Sequence, residues 1–206
     1  MRPILRAIAF LALGMLSAPA FADKRVALAI GNSAYRHVAR LPNPINDAIA
    51  IGAALQRLGF DTVTVRHDLG YDALRQELVA FETHATGADI ALVYFAGHGI
   101  EVDGQNYLIP ADARLTRAIA VEGEAIALSL VTRMIAGARK LRLVILDACR
   151  NNPFRARLTA ETGTQKRSIG RGLSRVEAGE NELVVFAAAA GAEADDGPGR
   201  HSPFTA

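Results

Sequence analysis

The chain has 206 residues, half of them hydrophobic, a formal net charge of +2 and a single cysteine. One cysteine excludes an internal disulfide, and the length is sufficient to bury one hydrophobic core. The first 22 residues hold two of the 23 basic residues and none of the 21 acidic ones, so the rest is formally neutral. Net charge therefore gives no reason to predict nucleic-acid binding.

The N-terminus has the order of a secretory signal peptide. Arg2 and Arg6 precede an apolar stretch at residues 7–16, and Ala20-Phe21-Ala22 supplies the small residues of a cleavage site. The apolar stretch is too short to span a bilayer comfortably. We therefore expect residues 1–22 to be removed after Ala22, leaving a mature chain that is periplasmic or secreted and has no membrane segment.

Apolar runs alternate with helical patterns over the first three quarters of the chain. The strand-like runs lie at residues 25–30, 60–65, 90–96 and 141–148, and the helical patterns at 44–58, 71–83 and 128–138. This alternation is typical of βαβ units on a parallel sheet. The sequence thus predicts an α/β fold with a mostly parallel central sheet flanked by helices.

Shorter elements lie between and after these runs. Residues 100–109 predict a hairpin that turns at Asp103-Gly104. Residues 155–179 form a polar stretch with six basic residues, which we interpret as a long exposed loop. A strand resumes at residues 183–187, and Ser202-Pro203 is typical of a helix start, with the serine as cap.

The candidate catalytic residues are Cys149, at the end of the run 141–148, and His98, which lies 51 residues earlier. A thiolate attacks carbonyl carbon well, and an imidazole can take the thiol proton and return it to a leaving amine. Because both residues follow parallel strands, we expect them to meet at the carboxyl edge of the sheet. The structural alternatives are a small buried cysteine and an ordinary loop histidine.

Gly97 and Gly99 flank the histidine. Without a Cβ they allow a sharp turn at the strand end and bring backbone N–H groups close to a substrate. Such donors suit an oxyanion hole.

These residues also carry a family resemblance. His98-Gly99 after one apolar strand and Asp147-Ala148-Cys149-Arg150 after another resemble the catalytic strands of the caspase and metacaspase superfamily, including the histidine-to-cysteine spacing. The segments 29–35, 41–48 and 202–205 resemble bacterial caspase-like proteins. The resemblance runs from about residue 24 to the end and implies a caspase-like (caspase-hemoglobinase) sandwich.

The resemblance also implies a division of the chain. After the signal peptide, residues 23–206 form the catalytic domain, with a large-subunit-like part at 24–154 and a basic linker loop at 155–180. Residues 181–206 form the start of a small-subunit-like part. A complete domain carries a further helix and strand there, so we expect a truncation at the C-terminus.

Site roles follow from the same resemblance. The backbone N–H groups of Gly99 and Cys149 correspond to the oxyanion hole, and Asp47 and Asp147 correspond to the acids with which metacaspases bind arginine or lysine before the scissile bond. Strand periodicity puts residues 147 and 149 on one side. Alternatively, Asp47 complements a helix dipole and Asp147 is a structural strand-end acid. Ala96 stands where metacaspases usually have a serine.

The expected protein is an exported cysteine endopeptidase that cleaves peptides or proteins after Arg or Lys, with self-processing in the loop 155–175 as a hypothesis. We expect no required cofactor and no metal site, with calcium dependence left open, and no nucleic-acid partner. The oligomeric state is open. The alternatives are a non-catalytic caspase-like module that binds peptides or partners, and a different α/β thiol hydrolase acting on esters or small amides.

Overall fold

The computed structural model describes residues 22–149, 153–154, 158, 168–169, 173–174, 176–187 and 199–206, with the backbone alone for Cys149. The strands are β1 (Arg25–Gly31), β2 (Thr62–His67), β3 (Ile90–Val102), β4 (Gln105–Leu108), β5 (Ile126–Ala127), β6 (Leu141–Cys149) and β7 (Glu182–Phe186). The helices are α1 (Pro44–Arg57), α2 (Tyr71–Ala85), α3 (Val121–Glu124) and α4 (Leu128–Met134), with a 3-10 turn at Ala118–Ala120.

The main sheet is parallel and has the order β2-β1-β3-β6-β7. Strand β3 is long because its second half leaves this sheet and pairs antiparallel with β4, which in turn pairs with β5. All carboxyl ends of the parallel strands therefore meet at one edge, and the β3–β4 hairpin rises from that edge beside them.

Helices cover both faces of the sheet, which explains why β1 and β3 read as nearly continuous apolar runs. Helix α1 packs on one face through buried residues that include Ala48 and Leu55. On the opposite face, α2 and α4 contribute the apolar side chains Leu74, Leu78 and Val131 to the largest buried cluster. A further cluster lies beneath the hairpin.

The start of α1 lies directly against the end of β1. A Cβ on Gly31 would lie 2.2 Å from the carbonyl oxygen of Pro44, so any other residue would push the helix away. This close approach places the first turn of α1, including Asp47, at the carboxyl edge of the sheet.

Asn32, the residue after β1, ties the loops of this edge together. Its side-chain amide donates to the carbonyls of Leu69 and Ile109 at 3.2 and 3.4 Å, and its Oδ1 accepts from the Leu69 N–H at 2.9 Å. The Asn32 backbone N–H donates to the Ala96 carbonyl at 2.9 Å. Two loops are thereby held to one buried side chain, and the backbone of the same residue is bonded to β3.

The predicted α/β fold and its mostly parallel sheet are confirmed. The hairpin is confirmed too, with left-handed backbone at Asp103 and Gly104 in its turn. The third predicted helix, 128–138, is too long, because α4 ends at Met134 and the chain continues in turns through Gly137, a poor helix former. Strand β2 begins two residues later than predicted.

One expectation about the catalytic edge is corrected. His98 does not follow its strand: β3 continues through it into the hairpin, because Gly99 pairs with Leu108 directly after His98 pairs with Cys149. The predicted signal peptide lies outside the described residues except at Ala22, and the basic loop is described at few positions. Within the described part of the chain, none of the helices is long and apolar enough to cross a bilayer.

Candidate functional site

His98 and Cys149 occupy matching positions on neighbouring strands. Strands β3 and β6 pair in parallel over nine residues, and the last pair of Cα partners is His98 and Cys149. Neighbouring strands lie about 4.8 Å apart, so the two backbones are adjacent at the carboxyl edge. The Cys149 side chain is outside the described atoms, so the catalytic dyad stays a prediction.

The His98 side chain is buried in an aromatic setting. Its ring centroid lies 4.5 Å from that of Tyr35 and 6.3 Å from that of Phe154. Neither ring nitrogen has a hydrogen-bond partner among the described residues. Both nitrogens are thus buried, and a general base needs one of them to accept a proton.

Burial lowers the pKa of His98 to about 4. The nearby carbonyl of Ala39 opposes part of this decrease, although it is outside hydrogen-bonding geometry with the ring. The imidazole is therefore neutral at pH 7, and a neutral imidazole can accept a proton. This is the protonation state that a general base needs.

The two glycines beside His98 are needed for close packing. Gly97 has a φ of 154°, and a Cβ there would lie 2.6 Å from the Tyr35 hydroxyl. A Cβ on Gly99 would lie 3.0 Å from Leu173 and 3.2 Å from Ala148. Leu173, from the linker region, thus packs beside the predicted oxyanion hole, a contact that the sequence did not indicate. The role of the Gly99 and Cys149 N–H groups stays a prediction.

Asp47 is a fully buried acid, 1% exposed, in the first turn of α1. Its Oδ1 lies 2.9 Å from His201 Nδ1, and the Ser202 backbone N–H donates to Oδ1 and Oδ2 at 3.2 and 3.3 Å. Burial raises the pKa of Asp47, the hydrogen bonds from His201 and Ser202 oppose this, and the charge of Asp147 raises it further. Asp47 thus does more than complement a helix dipole.

Asp147 lies in β6 and is 7% exposed. One of its carboxylate oxygens, Oδ2, accepts three hydroxyl groups: Ser202 at 2.5 Å, Tyr94 at 3.0 Å and Thr205 at 3.2 Å. Burial raises the pKa of Tyr94 far above its usual range, so the phenol stays protonated and can donate. Oδ1 has no hydrogen bond from the described residues.

The structure therefore brings both predicted pocket acids to one place, beneath residues 199–206 and at the same sheet edge as His98. Sequence reasoning missed Tyr35, Tyr94, His201, Ser202 and Thr205. The segments 29–35 and 202–205 were noticed as family motifs, but nothing in them indicated which partners they contact. Among the described residues, no three His, Cys, Asp or Glu side chains converge as a metal site requires.

Comparisons with known proteins show which family this chain resembles. The family model described as a caspase domain, of the C14 peptidases, matches residues 24–206. The mucosa-associated lymphoid tissue lymphoma translocation protein 1 of Homo sapiens is 34% identical over 92 residues, and its Mus musculus homolog is 32% identical over 95 residues. The match covers 45% of this chain but 11% of each relative, so this chain matches a small part of those proteins.

A solved structure of a Geobacter sulfurreducens protein is also similar. It has a TM-score of 0.47 and 19% identity, and the match covers 61% of this chain and 50% of that one. At this TM-score the likeness does not support an assignment of fold or function.

Proposed function

Because this chain belongs to the caspase-domain family of peptidases, we propose that it is a cysteine endopeptidase that cleaves after Arg or Lys. The observation that supports this specificity is that two buried carboxylates, Asp47 and Asp147, lie at the sheet edge where the His98 and Cys149 backbones are adjacent. No Arg or Lys side chain of the described residues forms an ion pair with either acid.

The charge of this site favours a cationic side chain before the scissile bond. Burying two carboxylates is costly unless a cation or several hydrogen bonds compensate them. His201 contacts Asp47, but Asp147 receives only neutral hydroxyl groups from the described residues. An arginine or lysine side chain would add the missing positive charge, whereas an acidic one would be repelled.

Asp147 is the carboxylate that we propose contacts the substrate. It retains more exposure than Asp47, 7% against 1%, and its Oδ1 is unoccupied by the described residues. It also lies two residues before Cys149 on the same strand. Asp47, which is more deeply buried, then adds negative electrostatic potential without contacting the substrate.

In the proposed reaction, neutral His98 accepts the thiol proton of Cys149, and the thiolate attacks the peptide carbonyl carbon. The oxyanion forms near the backbone N–H groups of Gly99 and Cys149. His98 returns the proton to the leaving amine as the C–N bond breaks, which leaves an acyl-enzyme. Water, deprotonated by His98, then hydrolyses the thioester and restores the thiol.

We also propose that the protein is exported after cleavage behind Ala22. Directly after Ala22, the chain contacts the folded domain. The Asp23 carboxylate forms an ion pair with Lys140, and the Lys24 N–H donates to Asp89 at 2.9 Å. Cleavage at this place would keep every one of these contacts. Neither alternative function, a binding module or an esterase, has an observation that favours it over a peptidase.

The test is an assay of the purified chain on peptides that differ only in P1: Arg, Lys, Asp and Ala, with and without calcium. We expect cleavage after Arg and Lys, and none by Cys149→Ala or His98→Ala. Asp147→Asn should lower kcat/KM for basic peptides about tenfold or more, while Asp72→Asn, on the exposed face of α2, serves as the matched control. Cleavage after Asp alone would overturn the specificity.

A further inference from the structure

We propose that Ser202 is a positioning residue that holds the two pocket carboxylates in a fixed relation and thereby sets the preference for arginine over lysine. This inference rests on the proposed function and deepens it. It starts from one fact: Ser202 contacts both acids, with different groups. Its backbone N–H donates to Asp47 and its hydroxyl donates to Asp147.

The two contacts bind acids that belong to different elements. Asp47 is held by α1, and Asp147 by β6, so their separation depends on what lies between the helix and the strand. Ser202 is 5% exposed and bonds to an acid on each of these two elements. Because the charge of Asp147 raises the pKa of Asp47, the acids repel each other, and a bridging donor opposes that repulsion.

Ser202 is itself fixed by its neighbours. The Thr205 backbone N–H donates to the Ser202 hydroxyl oxygen at 3.2 Å and to its carbonyl at 3.1 Å, forming a capped turn. With its oxygen accepting this bond, the Ser202 hydroxyl has its proton directed to Asp147 at 2.5 Å. The turn therefore determines where Asp147 Oδ2 lies.

Fixing Oδ2 also fixes Oδ1, since the carboxylate is planar. Ser202, Tyr94 and Thr205 all donate to Oδ2, and together they leave Oδ1 to a ligand. A guanidinium is a rigid planar fork that needs acceptors at set positions, whereas an ammonium on a flexible stem adapts to displaced ones. Loss of the Ser202 hydroxyl should thus harm arginine binding more than lysine binding.

The experiment measures kcat and KM of the full chain on matched peptides with P1 Arg or Lys, for wild type, Ser202→Ala and Ser202→Thr. We expect Ser202→Ala to raise KM for the Arg peptide about tenfold with kcat changed less than about twofold, and the Arg-to-Lys ratio of kcat/KM to fall towards one. Ser202→Thr, which keeps the hydroxyl, should stay within about twofold of wild type.

A second pair of variants covers the case in which Ser202→Ala does not fold. Thr205→Val removes one hydroxyl from Asp147 at nearly constant shape, and Thr205→Ser keeps it. We expect Thr205→Val to lower the Arg-to-Lys ratio and Thr205→Ser to restore it. Thermal melting of every variant shows which ones are folded.

Two results separate the inference from its premise. If wild type cleaves basic peptides but the Arg-to-Lys ratio is the same in folded Ser202→Ala and Thr205→Val, the positioning role is overturned and the proposed function stands. If wild type cleaves no basic peptide, the proposed function fails first, and the inference fails with it.

Discussion

Tyr35 and His98 are joined by two contacts of different kinds. The His98 backbone N–H donates to the Tyr35 hydroxyl at 2.8 Å, and their rings lie 4.5 Å apart. The Tyr35 hydroxyl in turn donates to the Ile109 carbonyl at 3.2 Å, at the far end of the hairpin. One phenol thus fixes both the backbone and the ring of the predicted general base, at the point where β3 leaves the main sheet.

Tyr35→Phe should destabilise the protein and slow catalysis. The substitution keeps the ring contact but leaves the buried His98 N–H without its acceptor, which costs about 1–3 kcal/mol. Urea unfolding measures this loss, and we expect kcat to fall while KM changes little, since His98 does not contact the P1 side chain in the proposal. Tyr71→Phe, on a partly buried tyrosine of α2, is the control. Equal stability of wild type and Tyr35→Phe would contradict the prediction.

The buried His98 should make the fold sensitive to acid. Its pKa is about 4 in the folded chain against 6.5 for an ordinary histidine. Between these values the unfolded chain binds a proton that the folded chain does not, so stability falls as the pH decreases from 6.5 to 4. The loss amounts to about 3 kcal/mol at pH 4 and is absent above pH 6.5.

Urea unfolding at a series of pH values tests this sensitivity. His98→Gln cannot titrate, and the other histidines are shared, so the difference between the two curves isolates His98. We expect wild type to lose the additional stability and His98→Gln not to lose it. Parallel curves from pH 7 to pH 4 would show that His98 does not titrate as described.

The pH dependence that Asp47 gives to the stability should have the opposite sign to that of His98. Burial raises its pKa, so the folded chain holds this proton more tightly than the unfolded chain, and the contribution of Asp47 to stability decreases as the pH rises through this range. Burial of the Asp47 carboxyl therefore costs the fold stability at pH 7 relative to acid pH. Asp47→Asn should raise the free energy of unfolding at pH 7 and lower kcat/KM for basic peptides. A loss of both stability and activity would indicate a structural acid instead.

The sequence was sufficient for the fold because the fold depends on patterns that repeat along the chain. Apolar runs of strand length between helical patterns predict a parallel sheet, and a parallel sheet places His98 and Cys149 at one edge with no further information. The extension of β3 through His98 was missed, because its apolar run and the hairpin were interpreted as separate elements.

The contacts within the site could not be predicted in the same way. Ser202 reaches Asp147 over a separation of 55 residues and Asp47 over 155, through loops without periodicity. Tyr35 likewise reaches His98 over 63 residues. Such contacts depend on how the loops close at the carboxyl edge, which a pattern along a single chain does not encode. Asp47 and Asp147 were found only because a family resemblance named them.

Export should leave a chain that begins at Asp23. Intact mass measurement of protein from the exported fraction should give the mass of residues 23–206, because the small residues Ala20 and Ala22 define the predicted cleavage site. Ala22→Leu should prevent processing, and Phe21→Leu should not. Exported protein that retains residues 1–22 would contradict the expectation, as would processing of Ala22→Leu at the normal site.

The described parts of the linker region are attached to the β3–β4 hairpin. Asn106 in β4 accepts from the Ser174 N–H at 2.7 Å and donates to its carbonyl at 2.8 Å, as a backbone partner would. Asp103 binds the Ser168 N–H at 2.8 Å. These contacts hold Leu173 beside Gly99, and we expect them to slow cleavage of the linker by any protease.

If the enzyme processes itself between residues 155 and 175, Asn106→Ala should be cut faster than wild type. Loss of the three hydrogen bonds between Asn106 and Ser174 should free the linker to take the extended conformation that peptide cleavage needs. Mass spectrometry of purified protein over time measures the rate, with Cys149→Ala as the inactive control and Thr132→Ala, on the neighbouring α4, as the matched surface control. Cutting in Cys149→Ala would point to a contaminating protease. Equal rates for Asn106→Ala and Thr132→Ala would show that the Asn106–Ser174 hydrogen bonds do not limit processing.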